Sequence, residues 1–129
     1  MPTITRFEDL EIWQLARLQA NNIYLLYNTE PFKNDFELKN QINASAGSVM
    51  DNIAEGFDRS GNKEFANFLL IAKGSNAETR SQLYRAFDRN YLTMDTLTQM
   101  KINNEMLGNK LMAFIKYLRT TAIKGQRYK

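Results

Sequence analysis

Apolar residues recur at intervals of three and four along most of the chain, which predicts helices rather than strands. The first such stretch begins near residues 5–9, where Thr5 and Glu8 fit a capping box, and it ends at residues 28–31. Its apolar positions are Leu10, Ile12, Trp13, Leu15, Ala16, Leu18, Ala20, Ile23, Leu25, Leu26 and Tyr27. Because these positions cover more than one helical face, the helix needs more than one neighbour, in the same chain or in another.

Three further stretches predict helices over residues 35–57, residues 62–90 and the segment after Thr93. Asn90 fits the left-handed residue that follows a helix, and Thr93 fits an N-cap with Asp95 in the first turn. The last helix carries a heptad seam, in which Asn104 is the polar member and is expected to set the register. The seam consists of Leu97, Met100, Asn104, Leu107, Leu111, Phe114 and Leu118.

Four helices with short connections predict an all-α fold, an antiparallel up-down-up-down four-helix bundle. The 129 residues fit a single domain, in which the basic tail at residues 124–129 is expected to fray. A looser array of helices is the alternative.

The segment at residues 56–62 joins the second and third helices and contains two glycines. Gly56 marks a place where the backbone loosens or a neighbour approaches closely, and Gly61 suits a positive φ angle. Ser60 or Asn62 is expected to cap the third helix, where Glu64 complements the positive end of the helix dipole.

Small residues occupy the middle of both helices, which predicts close packing between them and makes Gly47 intolerant of a leucine. These residues are Ala44, Ser45, Ala46, Gly47, Ser48, Ala72, Gly74, Ser75 and Ala77. Asn52 and Glu55 project near this seam and are expected to bind helix-end amides or Ser75. The alternative is a functional carboxylate site of Asp51, Glu55 and Glu78.

The chain contains no histidine and no cysteine, which excludes serine–histidine and cysteine–histidine catalysis within it. These residues are also the usual ligands of transition metals, so neither a metal site nor a cofactor is expected. No signal peptide and no apolar run long enough to span a membrane is evident, so a soluble cytoplasmic protein is expected.

Charge is distributed unevenly along the chain. Residues 1–58 carry four basic and nine acidic residues, whereas residues 59–129 carry thirteen basic and five acidic ones. This asymmetry suggests a basic surface for an anionic partner, and the alternative is neutralisation between the halves within the fold or across subunits. The candidate nucleic-acid-binding residues are Lys73, Arg80, Arg85, Arg89, Lys116, Arg119, Lys124, Arg127 and Lys129.

Several short motifs resemble one protein family, the four-helix-bundle proteins encoded in intervening sequences of bacterial 23S ribosomal RNA genes. The motifs are FEDLEIWQLA at 7–16, QI at 41–42, NIAEGF at 52–57, KEFANFLLIAKGS at 63–75, and Glu78. Within them, the residues that mark the resemblance are Asn52, Glu55, Gly56, Lys63, Glu64, Phe65, Gly74 and Ser75.

The resemblance implies a four-helix bundle that assembles into a homopentamer and has no established catalytic residue. It also implies a distant kinship to the accessory protein of diversity-generating retroelements, a basic pentamer that works with a reverse transcriptase and RNA. The chain departs from the family at Asn43 and Ala44, where two basic residues are usual, and at Met50, where proline is common. These departures move the candidate basic surface to the third and fourth helices.

Two functions follow as hypotheses. The first is a non-enzymatic oligomer that binds RNA or DNA through a basic surface, as a ribonucleoprotein accessory factor. The second is an oligomeric protein-interaction scaffold without nucleic acid, supported by the excess apolar surface of the first helix. An enzyme is disfavoured because the residues of common catalytic sites are missing.

Overall fold

The computed structural model describes residues 3–59 and 61–120 of the chain. All regular structure in these residues is helical, in four long helices: α1 at Glu11–Tyr27, α2 at Phe36–Asp58, α3 at Asn62–Asp88 and α4 at Met94–Thr120. Short 3-10 turns at Phe7–Asp9 and Phe32–Asn34 precede α1 and α2. The predicted all-α four-helix bundle is therefore confirmed.

Cross-helix contacts run in antiparallel order. Between α2 and α3, Ser45 bonds Thr79 whereas Ser48, further along α2, bonds the earlier residue Ser75. Between α1 and α4, Glu11 pairs with Lys110, and Gln19 bonds Asn104 in the opposite order along α4. The helices therefore alternate in direction, as in an up-down-up-down bundle.

A buried layer of three amides crosses the core and joins α1, α3 and α4. Asn104 is fully buried, and its Nδ2 donates to Gln19 Oε1 at 2.8 Å. Gln19 Nε2 in turn donates to Asn76 Oδ1 at 3.0 Å, and Asn76 Nδ2 donates to the Asn104 carbonyl at 2.9 Å. Buried amides are costly unless they are hydrogen-bonded, so this layer favours the one alignment of the three helices that brings them together.

Apolar clusters lie on both sides of this layer. One surrounds Phe65 and Leu111, and the other surrounds Phe32 and Leu83. The stripes predicted from the sequence supply most of both clusters, because residues at intervals of three and four share one face of a helix.

Helix termini confirm some of the sequence predictions and correct others. Asn90 has a positive φ of 64° after α3, and the backbone amide of Thr96 donates to Thr93 Oγ1 at the start of α4. The capping box at Thr5 is wrong, because the chain first forms a 3-10 turn and α1 begins only at Glu11, after an extended Leu10 without a side-chain cap.

In the connection between α2 and α3, the N-cap residue of α3 differs from the predicted one. Gly61, with φ of 95°, is the N-cap residue of α3, which confirms its positive φ angle. Asn62 is the first residue of the helix, so its prediction as the cap is wrong, and Ser60 lies outside the described residues. Glu64 lies in the first turn of α3, where a negative charge is favourable.

Close packing between α2 and α3 is confirmed, but the glycine that permits it is not Gly47. A methyl group added at Gly47 or Gly74 would meet no atom within 4 Å, and Gly47 is only half-buried, so the tight packing on which its predicted intolerance of leucine rested is absent. At Gly56 the same atom would stand 2.6 Å from Phe68 Cβ. The closest approach of the two helices is therefore at the turn end.

Candidate nucleic-acid interface

A shallow groove runs along the outer face of the bundle between α3 and α4. Gly108 lines it and has no side chain to fill it, and Lys73 and Arg80 line its α3 side. The remaining lining residues are Asn76, Ala77, Asn104, Glu105, Asn109 and Met112. We call this feature the α3–α4 groove.

Helical spacing places five basic residues in a row along the α3–α4 groove. On α3, Lys73, Arg80 and Tyr84 follow one another at seven and four residues. On α4, residues at intervals of three and four share the face of the groove-lining Glu105 and Met112. These α4 residues are Lys101, Glu105, Gly108, Met112, Lys116 and Arg119. The row thus consists of Lys73, Arg80, Lys101, Lys116 and Arg119, interrupted by one carboxylate.

Electrostatic contacts within this row are loose. Arg80 Nη1 lies 3.9 Å from Glu105 Oε2, at the limit of an ion pair, and both side chains are well exposed. Lys73, Lys116 and Arg119 are exposed. Surface pairs of this kind contribute little to stability, so these cations remain accessible to an anion from solution.

Lys101 was missed by the sequence prediction. Its Nζ lies 5.0 Å from the centre of the Tyr84 ring, and the hydrogen bond with Tyr84 is the main cause that raises the pKa of this lysine. The sequence did contain a signal, because Lys101 lies four residues before Glu105 and shares its helical face.

Arg85 and Arg89 do not join the α3–α4 groove. They lie at the opposite edge of α3, where Arg85 Nη1 donates to Gln41 Oε1 at 2.8 Å and Arg89 Nη1 donates to Asp35 Oδ2 at 2.8 Å. Both therefore tie α3 or its end to α2 and its cap. The Arg89–Asp35 ion pair is neutralisation within the fold, the alternative named above, whereas Gln41 carries no charge. Lys124, Arg127 and Lys129 lie outside the described residues.

Asn52 and Glu55, two motif residues of the α2–α3 region, bind other side chains of the bundle. Asn52 Nδ2 donates to the carbonyl and the hydroxyl of Ser48, which in turn bonds Ser75 at 2.9 Å. Glu55 binds Arg59 instead of helix-end amides or Ser75, so that prediction is wrong for Glu55. It is also wrong for Asn52, which reaches Ser75 only through the Ser48 hydroxyl. Hydrogen bonding to Glu55 is the main cause that raises the pKa of Arg59.

The remaining motif residues divide between the core and the surface. Phe65 is fully buried, whereas Lys63, Glu64 and Gly74 are exposed. Asp51, Glu55 and Glu78 are exposed as well, and no group of three metal-ligating side chains occurs in residues 3–59 and 61–120. Within the same residues, no helix is long and apolar enough to cross a membrane.

A second surface lies between α1 and α4 and is uncharged. Leu15, Leu18, Asn22, Met100 and Met106 line a groove there. Leu18 is 50% exposed and Leu25, seven residues further on, is 59% exposed. We call this surface the α1–α4 face; it leaves part of α1's excess apolar surface uncovered by the bundle.

Comparison with known proteins identifies relatives of unknown activity. The family model described as 23S rRNA-intervening sequence protein matches residues 8–113. A solved structure from Bacteroides thetaiotaomicron VPI-5482, described as a protein with unknown function from the S23 ribosomal protein family, superposes with a TM-score of 0.74. It shares 23% identity over 81% of this chain and 98% of its own, which shows a common fold. No curated protein matches the sequence significantly.

Proposed function

The chain belongs to the family of 23S rRNA-intervening sequence proteins, and from this premise we propose that it is a non-enzymatic oligomer that binds nucleic acid through the α3–α4 groove. The observation that carries the proposal is that Lys73 and Arg80 line the groove, and helical spacing puts Lys101, Lys116 and Arg119 on the groove-facing side of α4. Neutralisation of phosphates by such a row releases counterions, which drives binding without sequence preference.

Oligomerisation multiplies the effect of a modest charge per subunit. The α1–α4 face offers apolar side chains, among them Leu18 and Leu25, to a second copy. Several grooves in one assembly would contact several stretches of the same nucleic acid, and the linked contacts raise the overall affinity above that of one groove.

The experiment is a salt titration of binding to RNA by fluorescence anisotropy. The double variant Lys73→Gln and Lys116→Gln removes two groove charges, and we expect weaker binding to all sequences alike, because phosphate contacts carry no sequence information. The slope of log affinity against log salt should become shallower by about 0.7 for each lost contact on a single strand.

A matched control removes two charges elsewhere. Arg17→Gln with Lys33→Gln changes the net charge equally but acts on α1 and the turn before α2, away from the groove. An equal loss of affinity in both double variants would show that net charge, rather than the α3–α4 groove, governs binding. Absence of RNA and DNA binding at low salt, with the protein folded and its assembly intact, would contradict the proposal.

The second candidate function is an oligomeric protein-interaction scaffold without nucleic acid. The specific observation in its favour is the uncharged α1–α4 face, which is more apolar than the α3–α4 groove. In that case the groove variants would leave every binding property unchanged, whereas substitutions at Leu18 and Leu25 would abolish partner binding.

A further inference from the structure

We infer that the α3–α4 groove takes one extended single strand of RNA or DNA rather than a duplex; this inference rests on the function proposed above. Three features of the groove distinguish the two ligands: its width, the linear order of its cations, and the apolar side chains among them.

The width of the groove suits one strand. Packed helices stand about 8–10 Å apart, so the depression between α3 and α4 is only that wide. A duplex presents two backbones, and its major groove alone is about 12 Å across in the B form. A duplex would therefore rest on the rims of the depression, whereas one sugar–phosphate chain can lie within it.

The cations follow the straight length of the groove, two on its α3 side and three on α4. Lys101 and Arg119 are eighteen residues apart on α4, which corresponds to about 27 Å along the helix axis. On α3, Lys73 and Arg80 are seven residues apart, or about 10 Å, and lie between these ends because Tyr84 is beside Lys101 and Arg80 is beside Glu105. Such a straight row follows successive phosphates of an extended strand, whereas the backbone of a duplex curves away from it.

Apolar side chains lie between the cations. Tyr84 is 41% exposed, Met112 lines the groove, and Leu70, one turn before Lys73, is 39% exposed. The Tyr84 ring, Met112 and Leu70 offer apolar surface in addition to the charges that contact phosphates. They suit unstacked bases, which lie on aromatic and apolar side chains in proteins that bind single strands.

The test compares fluorescently labelled oligouridylate of about 15 nucleotides, within the range of site sizes for single strands, with an RNA duplex of the same length. We expect the single strand to bind about tenfold or more tightly at the same salt concentration, since only it offers bases to the groove. Tyr84→Leu should bind the single strand about fivefold more weakly than Tyr84→Phe, which keeps the ring and likewise lacks the hydroxyl that bonds Lys101, and the two variants should bind the duplex alike. The control is Tyr24→Leu, an exposed tyrosine of α1, which should change neither.

Glu105 provides a variant that cannot be mistaken for a damaged fold. Its carboxylate is the anion within the row and would repel a phosphate, so Glu105→Gln should strengthen binding of the single strand by about threefold. Equal or tighter binding of the duplex, or an unchanged affinity for the single strand in Tyr84→Leu, would overturn the inference while the proposed function stands. An unchanged affinity in Glu105→Gln would place binding outside the α3–α4 groove and would overturn both. Failure of both RNAs to bind would overturn the proposed function, and the inference with it.

Discussion

Helices α2 and α3 meet through small and hydroxyl-bearing residues, whereas α1 and α4 leave an apolar groove between them. At the α2–α3 seam, Ser45 Oγ contacts Thr79 Oγ1 at 2.8 Å and donates to Gln82 Oε1 at 2.6 Å. At the α1–α4 face, Leu18 and Met106 remain partly exposed beside the groove. Short side chains let two backbones approach and exchange directional bonds, while long apolar ones leave surface that a partner can cover.

The difference assigns separate roles to the two regions. The α2–α3 seam contains NIAEGF, one of the motifs that mark the resemblance, and its cross-helix bonds fix the position of α3 against α2. The α1–α4 face contributes less to the single bundle, and it is the surface to which we assign the proposed assembly. Substitutions at the seam should therefore change the free energy of unfolding, and substitutions at the face should change the state of association.

The largest effect is expected at the point of closest approach. In Gly56→Leu the new Cβ would overlap Phe68 Cβ, 2.6 Å away, so α2 and α3 must separate. We expect the free energy of unfolding to fall by about 3 kcal/mol, as in severe overpacking. Denaturation with urea measures this loss, and an unchanged midpoint would show that the turn end adjusts without cost.

The control for this variant is Gly47→Ala in the same helix. A methyl group there meets nothing within 4 Å, and alanine favours the helix over glycine by about 1 kcal/mol. The control should therefore raise the midpoint. A lower midpoint in both glycine variants would show that Gly47 also lies in the α2–α3 seam.

The second largest effect on the free energy of unfolding is expected from removing a hydroxyl contact of the α2–α3 seam. Thr79 is fully buried, donates to the Ser75 carbonyl at 2.9 Å and contacts Ser45 Oγ. Thr79→Val keeps the shape and removes the hydroxyl, so the free energy of unfolding should fall by about 1–2 kcal/mol. Ser81→Ala, at an exposed position two residues along α3, is the matched control and should change it little. Equal stability of Thr79→Val and the native protein would mean that packing alone holds the seam.

These expectations separate what the sequence contained from what only the fold supplies. The periodicity of apolar residues predicted the four helices, and local chemistry predicted Thr93 and the positive φ of Asn90. The polar position of Asn104 in its heptad was also evident, although its partners Gln19 and Asn76 were not. The features that were predicted depend on residues close in sequence, for which helical spacing is informative.

The features that the sequence did not reveal depend on how one helix faces another. A close neighbour at Gly56 was one of two sequence expectations and is confirmed by Phe68, but only the rotation of α2 against α3 decides that Gly47 lies clear of α3. For the cations, helical spacing separates Arg80 from Arg85, but only the fold shows that Arg80 lies beside α4 and Arg85 beside α2. Charge counted along the chain cannot distinguish them.

A smaller effect is expected at the far end of the seam, where Asp35 caps α2. Hydrogen bonds from the Tyr91 hydroxyl, first, and from the Leu38 amide hold the pKa of Asp35 below its ordinary value, and Arg89 adds to this. Because the pKa of Asp35 is lower in the folded than in the unfolded protein, its carboxylate stabilises the fold above about pH 4. This stabilisation is lost as the pH falls through the pKa that Asp35 has in the folded protein.

Thermal melts of the native protein and of Asp35→Asn across this pH range test the contribution. The two melting temperatures should differ most near neutral pH and converge as the solution is acidified, because protonation removes the charge that the variant already lacks. The difference would stay constant with pH if Asp35 acted only through neutral hydrogen bonds.

The smallest effect on the fold, and the largest on association, is expected at the α1–α4 face. Leu18→Ser with Leu25→Ser changes two side chains that are half exposed or more in the single bundle, so the free energy of unfolding of that bundle should change by no more than about 0.5 kcal/mol for each. Light scattering should show a native assembly larger than 15.0 kDa and a variant shifted toward that mass. Leu70→Ser on α3, also exposed, is the control and should leave the assembly intact. A native protein that is monomeric at micromolar concentration would contradict the proposed assembly. If the double variant failed to fold, the α1–α4 face would stabilise the bundle as the α2–α3 seam does.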